Sequence, residues 1–324
     1  MAVLAIPVTI AVALILVPLL VKTLDRKAGW PLGLTFLALA GYVIKHADPI
    51  LNGKTATWSV TWIQGILTGA GGGAGAASAG GTADAAASTG LELALKMDAL
   101  GLFFTLLALL IGAVVFIYSA AYLHKGDKIM SFYVLMTSFM LAVLLLVLAD
   151  DVALLFIGWE LVSLASFFLI ARSGSGGEAG AIRTLLLTFV GGLFLLAALA
   201  ISVITTGTTN LTAMLHSPAW EGQDVRLAIV AVLIALAAFS KAAQIPFHFW
   251  LPEAMAADTP VSAFLHAAAV VKAGVYLLLR FSGLFEGVMA WHTLLIAIGM
   301  TTAIMGAVFA MPVSYTHLRA HETS

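Results

Sequence analysis

Three ionisable side chains stand inside long apolar runs of this sequence: Glu160, Lys241 and Lys272. At the centre of a bilayer each costs about 2.5–3.5 kcal/mol on insertion scales, so such residues turn toward a bundle interior or a wet cavity and mark ion paths. Glu160 is followed at three-residue steps by Ser163 and Ser166, a narrow polar stripe on one helical face. Hydroxyls on such a stripe bond neighbouring helices or hold water. Trp159, beside Glu160, reads as packing. Lys241, Gln244 and His248 fall at i, i+3 and i+7, a second polar face. Pro246 cannot donate to the carbonyl of Ala242 and its ring crowds that turn, so this helix is expected to break there. Pro252 adds a second interruption. At membrane depth, broken helices expose backbone groups where they line a cavity. In the next apolar run Thr259 is placed to cap a helix and Pro260 suits its first position. His266 and Lys272 follow. Six residues of α-helix separate them by about 240° around the axis and about 9 Å along it, so they leave on different faces.

The chemistry open to these groups is proton transfer. Burial disfavours a charged lysine and a nearby carboxylate favours it, so an acid–lysine pair whose separation changes can load and release a proton. Histidine titrates near neutrality without help. The bland alternative is a set of interhelical ion pairs, a proline kink and a core histidine, with no part in transport. Bond-making chemistry has less support. No Ser/His/Asp order, metal cluster or cofactor motif is evident, and the absence of cysteine excludes disulfides, thiolate metal sites and iron–sulfur clusters. The Gly, Ala, Ser and Thr stretch from Gly69 to Gly90 lacks the flanking strand, helix and closing Lys-Ser/Thr of a phosphate cradle, and reads as a flexible loop. His317 and His321 have the spacing of a helical metal pair, but no third ligand is evident and Pro312 argues for a break.

These residues need membrane helices to hold them. The chain has 324 residues, 62% hydrophobic and 10% charged, with mean hydropathy +1.08. Soluble domains carry about 25% charged residues. So little charge cannot cover a water-exposed surface, which excludes a soluble enzyme and a disordered tail. A net charge of -1 offers no basic surface to nucleic acid. The apolar runs predict an all-α integral membrane protein of about nine spans, at 2–21, 30–46, 97–121, 130–149, 152–171, 181–205, 226–256, 260–281 and 289–311, the seventh broken by proline. Barrel strands would be half as long and would alternate. The first span has no basic residues before it, unlike a cleaved leader. With the N-terminus outside, cytoplasmic loops hold Lys22, Arg26, Lys27, Lys125, Lys128, Arg172 and Arg183, against Lys45, Lys54, Lys96, Arg226 and Arg280 outside, a weak positive-inside bias. Thr57–Ile63 alternates like a short amphipathic strand.

The runs Phe156–Ile170, Phe239–Ala257 and Thr259–Arg280 resemble the antiporter-like subunits of Mrp-type cation/proton antiporters and of respiratory NADH:quinone oxidoreductase. The most specific stretches are Phe-Ser-Lys-Ala-Ala-Gln-Ile-Pro-Phe-His-Phe-Trp-Leu-Pro-Glu-Ala-Met (239–255) and Thr-Pro-Val-Ser-Ala-Phe-Leu-His-Ala-Ala (259–268), and Met97–Leu102 is similar to the start of the family's third helix. The resemblance covers about residues 1–311. It implies that Glu160 is the family's helix-five glutamate, Lys241 the lysine of its broken seventh helix and His266 the histidine of helix eight. Val270–Tyr276, with Lys272, is more similar to the large A subunit of Mrp antiporters than to the respiratory relative, which tends to a neutral residue there. The implied organisation is a two-helix N-terminal region with an outer loop (1–96), a third helix and loop (97–129), a first inverted repeat of helices four to eight (130–281) and the start of a truncated second repeat (282–311). The tail at 312–324 resembles a translated sequencing adapter and is expected to be non-native. The resemblance implies exchange of cytoplasmic Na⁺ for external H⁺ in a hetero-oligomeric complex of the bacterial cell membrane, with no cofactor and no ATP. The proton path would run through Glu160, Ser163, Lys241, Gln244, His248, His266 and Lys272. Alternatives are a proton-translocating subunit of NADH:quinone oxidoreductase or membrane-bound hydrogenase, with redox chemistry in partner subunits, and a membrane scaffold.

Overall fold

A computed structural model describes residues 2–63, 91–124, 128–172, 177–255 and 257–321. Long apolar helices dominate it. α1 (Ala2–Leu24) and α2 (Gly29–Lys45) are joined by one 3₁₀ turn, and the short α3 (Asp48–Leu51) leads into β1 (Ala56–Ile63). β2 (Leu91–Met97) returns antiparallel to β1, pairing Ala56 with Met97 and Val60 with Leu93. Then come α4 (Ala99–Tyr122), α5 (Ile129–Leu148), α6 (Val152–Ala171), α7 (Glu178–Thr206), α8 (Leu211–Leu215) and α9 (Asp224–Lys241). After an unwound stretch follow α10 (Trp250–Ala254), α11 (Thr259–Phe264), a π-helical turn (Leu265–Ala269), α12 (Val270–Phe281) and α13 (Met289–His321). The expected strand at Thr57–Ile63 is thus one arm of a hairpin. The Gly69–Gly90 stretch lies outside the described residues.

Helix ends follow local chemistry. Asp98 accepts from the Gly101 N–H at 2.8 Å to start α4, and Asp151 accepts from Ala153 and Leu154 to start α6. Gly207, at φ 71°, closes α7 in the left-handed conformation that glycine adopts without strain. Packing runs α1 on α5, α2 on α4, then α5, α6, α7 and α9 in series, with α12 and α13 both on α9. Glycines set the tight crossings. A Cβ on Gly158 would sit 2.9 Å from the backbone of Leu146, so α5 and α6 touch main chain to main chain there. Outward faces carry Ile15, Val114, Leu186 and Ile204, apolar side chains suited to lipid.

Seven described helical segments are long and apolar enough to cross a membrane. The first, Val3–Lys45, joins two expected spans, and α9 is not among the seven because Asp224, Arg226 and Lys241 put three charges into its 18 residues. Nine crossings follow only if Val3–Lys45 counts as two and α9 with α10 as one. Two further expectations need correction. α13 continues through Pro312 to His321 instead of stopping at Met311; the proline takes away the bond to the Val308 carbonyl without ending the helix. Asp258, not Thr259, takes the N-cap position of α11, and its carboxylate pairs with Arg172.

The hairpin is clamped to the helix ends beside it. Arg280, at the end of α12, pairs with Asp98, and Lys96 lies 3.9 Å from Asp98 and donates to Thr212 Oγ1 at 2.9 Å. Burial raises the proton affinity of Asp98, but the hydrogen bond and charge of Arg280, the Gly101 N–H and the charge of Lys96 outweigh it and hold the carboxyl below its usual range. A depressed carboxylate contributes stability above the unfolded pKa, and that contribution is lost as pH falls through the folded value. Amide protection of 91–97, corrected for intrinsic exchange, should therefore hold down to about pH 4 and fall below it. Asp98→Asn should abolish the step. A profile with no step in the native chain would reject the clamp.

Candidate functional site

Lys241 is the last residue of α9 and is fully buried. Its Nζ donates to the carbonyl of Trp159 on α6 at 2.5 Å and lies 4.0 Å from the centroid of the Trp159 ring. The amine is thus held by a carbonyl dipole and an aromatic face, two of the few partners that stabilise a lysine's charged form in an apolar interior. Being at the C-terminal end of α9 also suits a cation, since the helix dipole is negative there. Glu160, next to Trp159, is half-buried, and its charge lies close enough to interact with that of Lys241. The two form no ion pair within 4.0 Å. Glu160 Oε1 is buried with no hydrogen-bond partner among the described residues.

Two glycines make room for this arrangement. A Cβ on Gly192 of α7 would collide with Glu160 Oε1, and one on Gly191 would lie 2.6 Å from Ser240 beside Lys241. Gly274 of α12 performs the same service from the other side, where a Cβ would stand 2.6 Å from the Ala238 carbonyl and 2.8 Å from Ala242. Ser163 belongs to the same cluster: its hydroxyl donates at 3.3 Å to the Trp159 carbonyl that Lys241 also uses. The stripe expectation is corrected in one respect. Ser166 donates to the Ser163 carbonyl at 2.7 Å, so both serines bond back to their own helix rather than across to a neighbour, as hydroxyls in helices often do.

The helix break begins earlier than the proline. α9 ends at Lys241, and Ala243 adopts φ 53°, a left-handed value that strains a residue with a Cβ. The Ala242 carbonyl that Pro246 leaves unserved accepts from Gln244 Nε2 at 3.1 Å. The Gln244 N–H reaches back to Phe239 at 2.9 Å, and Ile245 N–H is taken by Thr302 Oγ1 of α13 at 3.1 Å. Trp250 Nε1 donates to the Ser240 carbonyl at 2.9 Å and ties α10 back to α9. The continuous polar face expected from Lys241, Gln244 and His248 therefore does not exist. Helical spacing ends at Lys241, Gln244 turns back as a cap, and His248 sits on a 3₁₀ turn. His248 lines an open pocket of about 670 Å³ with Arg183, Leu187, Glu253 and Phe309, a pocket that Lys241 does not line.

His266 lies in the π-helical turn, against α4, and neither ring nitrogen has a partner among the described residues. Single π-turns are frequent at functional sites. The extra residue of a π-turn subtracts about 100° from the offset expected between His266 and Lys272, which still leaves them on different faces. Lys272, on α12, is half-buried. Among the described residues it has no hydrogen bond or ion pair. The structure therefore gathers Glu160, Ser163 and Lys241 at Trp159, and holds Gln244, His248, His266 and Lys272 at separate points around them.

Comparison with known proteins fits this arrangement of helices. The family described as NADH:quinone oxidoreductase/Mrp antiporter, TM, matches residues 149–314, just over half of the chain. The chain belongs to this family. A second family, described as NADH-Ubiquinone oxidoreductase (complex I), chain 5 N-terminus, matches residues 85–133. A Staphylococcus haemolyticus (strain JCSC1435) protein carrying the name antiporter subunit mnhA2 is 32% identical over 301 residues, 92% of this chain and 35% of that protein. Its namesake in Staphylococcus aureus (strain MRSA252) is 40% identical over 220 residues, 67% of this chain and 28% of that one. A chain in the structure of the Mrp complex from Dietzia sp. DQ12-45-1b matches with TM-score 0.81 and 47% identity, over 94% of this chain and 31% of that chain. The chain thus spans about a third of the length of the relatives it matches, and it is a multi-pass membrane protein of their fold.

Proposed function

We propose that this chain forms the first part of a large membrane subunit of a monovalent cation/proton antiporter. The subunit would exchange cytoplasmic Na⁺ for external H⁺ within a hetero-oligomeric complex of a bacterial plasma membrane. It acts as a transporter, without bond-making chemistry, cofactor or ATP. The observation that carries this reading is Lys241: fully buried, at the end of a broken helix, its amine on the Trp159 carbonyl and its charge facing Glu160. Such a lysine can exchange its partners when the break moves, and each exchange alters its hold on a proton. His248, His266 and Lys272 extend the path on either side, and Pro246 with Gln244 keeps the break open. Residues 130–281 then form the first repeat and 282–311 open the second.

Relatives named as antiporter subunits, and the likeness to a chain of an Mrp complex, support exchange over redox-driven pumping. The reading as a subunit of NADH:quinone oxidoreductase keeps support from the family's shared description and from the match at residues 85–133. Everted vesicles holding the full-length complex separate the two. With respiration blocked and a pH gradient imposed, added Na⁺ should collapse the gradient. No collapse on adding Na⁺ would reject the antiporter, and a gradient built by NADH once the block is lifted would then favour the redox-driven reading.

A further inference from the structure

We propose that Thr302 is a positioning residue that sets where Lys241 sits by holding the unwound backbone four residues beyond it. The inference rests on the antiporter reading and adds a residue to it. The break leaves Ala243 in the left-handed region, the Ile245 N–H served by a side chain instead of a backbone carbonyl, and Pro246 without a donor. Ile245 is served by a side chain from another helix, Thr302 Oγ1 at 3.1 Å. That oxygen is oriented in turn, since its own proton goes to the Ile298 carbonyl at 2.7 Å. The Thr302 hydroxyl therefore presents its acceptor side to Ile245 and fixes the segment to one height on α13.

The position of this bond gives it leverage. α13 packs against α9, and the Ile245 bond joins α13 to the strand of chain that leaves Lys241. In hydrocarbon a backbone donor has no solvent partner to fall back on, so the segment stays with Thr302 or rearranges as a unit. Upstream, the amine of Lys241 is fixed by Trp159 on α6. A shift of α13 along its axis therefore pulls the break toward or away from a lysine whose other end is anchored. In this way Thr302 links the helix that opens the second repeat to the proton site of the first.

Two variants of the full-length protein in its complex test the proposal. Thr302→Val keeps the volume and removes the acceptor. Thr302→Ser restores the hydroxyl. Amide exchange of residues 243–249 should quicken in the Val variant and return to normal in the Ser variant. The maximal rate of Na⁺-driven exchange should fall about tenfold in Val, with little change in the Na⁺ concentration for half-maximal rate, and recover in Ser. Unchanged amide exchange in the Val variant, or loss of rate that Ser does not restore, would overturn the positioning role. Lys241→Met serves as the control: if it exchanges normally, the antiporter reading of the site fails, and if it is inactive while Val is normal, only the role of Thr302 fails.

Discussion

Glu160→Gln should cut Na⁺-driven proton exchange by about tenfold while leaving the amount of assembled complex unchanged. The magnitude follows from the site. With no ion pair within 4.0 Å between Glu160 and Lys241, the two unit charges interact by less than about 4 kcal/mol at an effective dielectric of about 20. Glu160 is half-buried, and solvent screening cuts this to about 1–2 kcal/mol, near a factor of ten in rate. Assembly should survive, because Lys241 keeps its main supports: the Trp159 carbonyl and ring do not depend on the carboxylate. Gln fills the same space beside Gly192, so packing is preserved. Gly192→Ala offers the complementary test. It leaves the charge in place and forces Glu160 aside, so a loss of exchange there would show that the position of the carboxylate matters as well as its charge. If Glu160 served only to lock helices, Gln would support wild-type exchange across about pH 6–9, and that result would sink the relay.

The sequence made the charged members of the site legible, because a Glu or Lys inside an apolar run is conspicuous and expensive. It also pointed to the break, since Pro246 has no N–H to give the helix and its ring crowds the preceding turn, although Pro312 shows that a proline alone does not end a helix. The partners of Lys241 were less visible. Trp159 read as packing, and its ring is indeed fully buried, but its contribution includes a main-chain carbonyl that every residue owns. Gly191 and Gly192 are two glycines among many, and only the crossing of α7 with α6 and α9 shows what their missing Cβ atoms permit. Thr302 lies 57 residues from the N–H it holds, and no local pattern connects them. The early onset of the break, at Ala242 rather than Pro246, was hidden because Ala243 is an ordinary helix former by its type and yet stands at positive φ. The π-turn at His266 was hidden for the same reason: five residues of good helical sequence, Leu265–Ala269, give no sign of the extra residue in the turn.

Lys272→Met should abolish most exchange, by more than tenfold, while the complex assembles normally. A lysine kept for structure needs fixed acceptors, because an unpaired charge at membrane depth is costly. Among the described residues Lys272 has none, in contrast to Arg280, which pairs with Asp98 and bonds Tyr276 Oη two turns further along the same helix. The comparison is internal to α12: one cation is tied into a clamp, the other is left without a tie. Met matches the length of the lysine stem and removes only the charge, so folding should tolerate it. With His266 inside the π-turn and Lys272 beyond it on α12, their side chains leave on different faces, which suits successive stations on a path rather than one shared site. Exchange per assembled complex, measured for Lys272→Met and for Lys272→Arg, decides between the roles. A relay should fail in both, because Arg keeps the charge but does not release its proton in the accessible range. A structural cation should be rescued by Arg, and loss of the assembled complex in Met alone would assign Lys272 to packing instead of proton transfer.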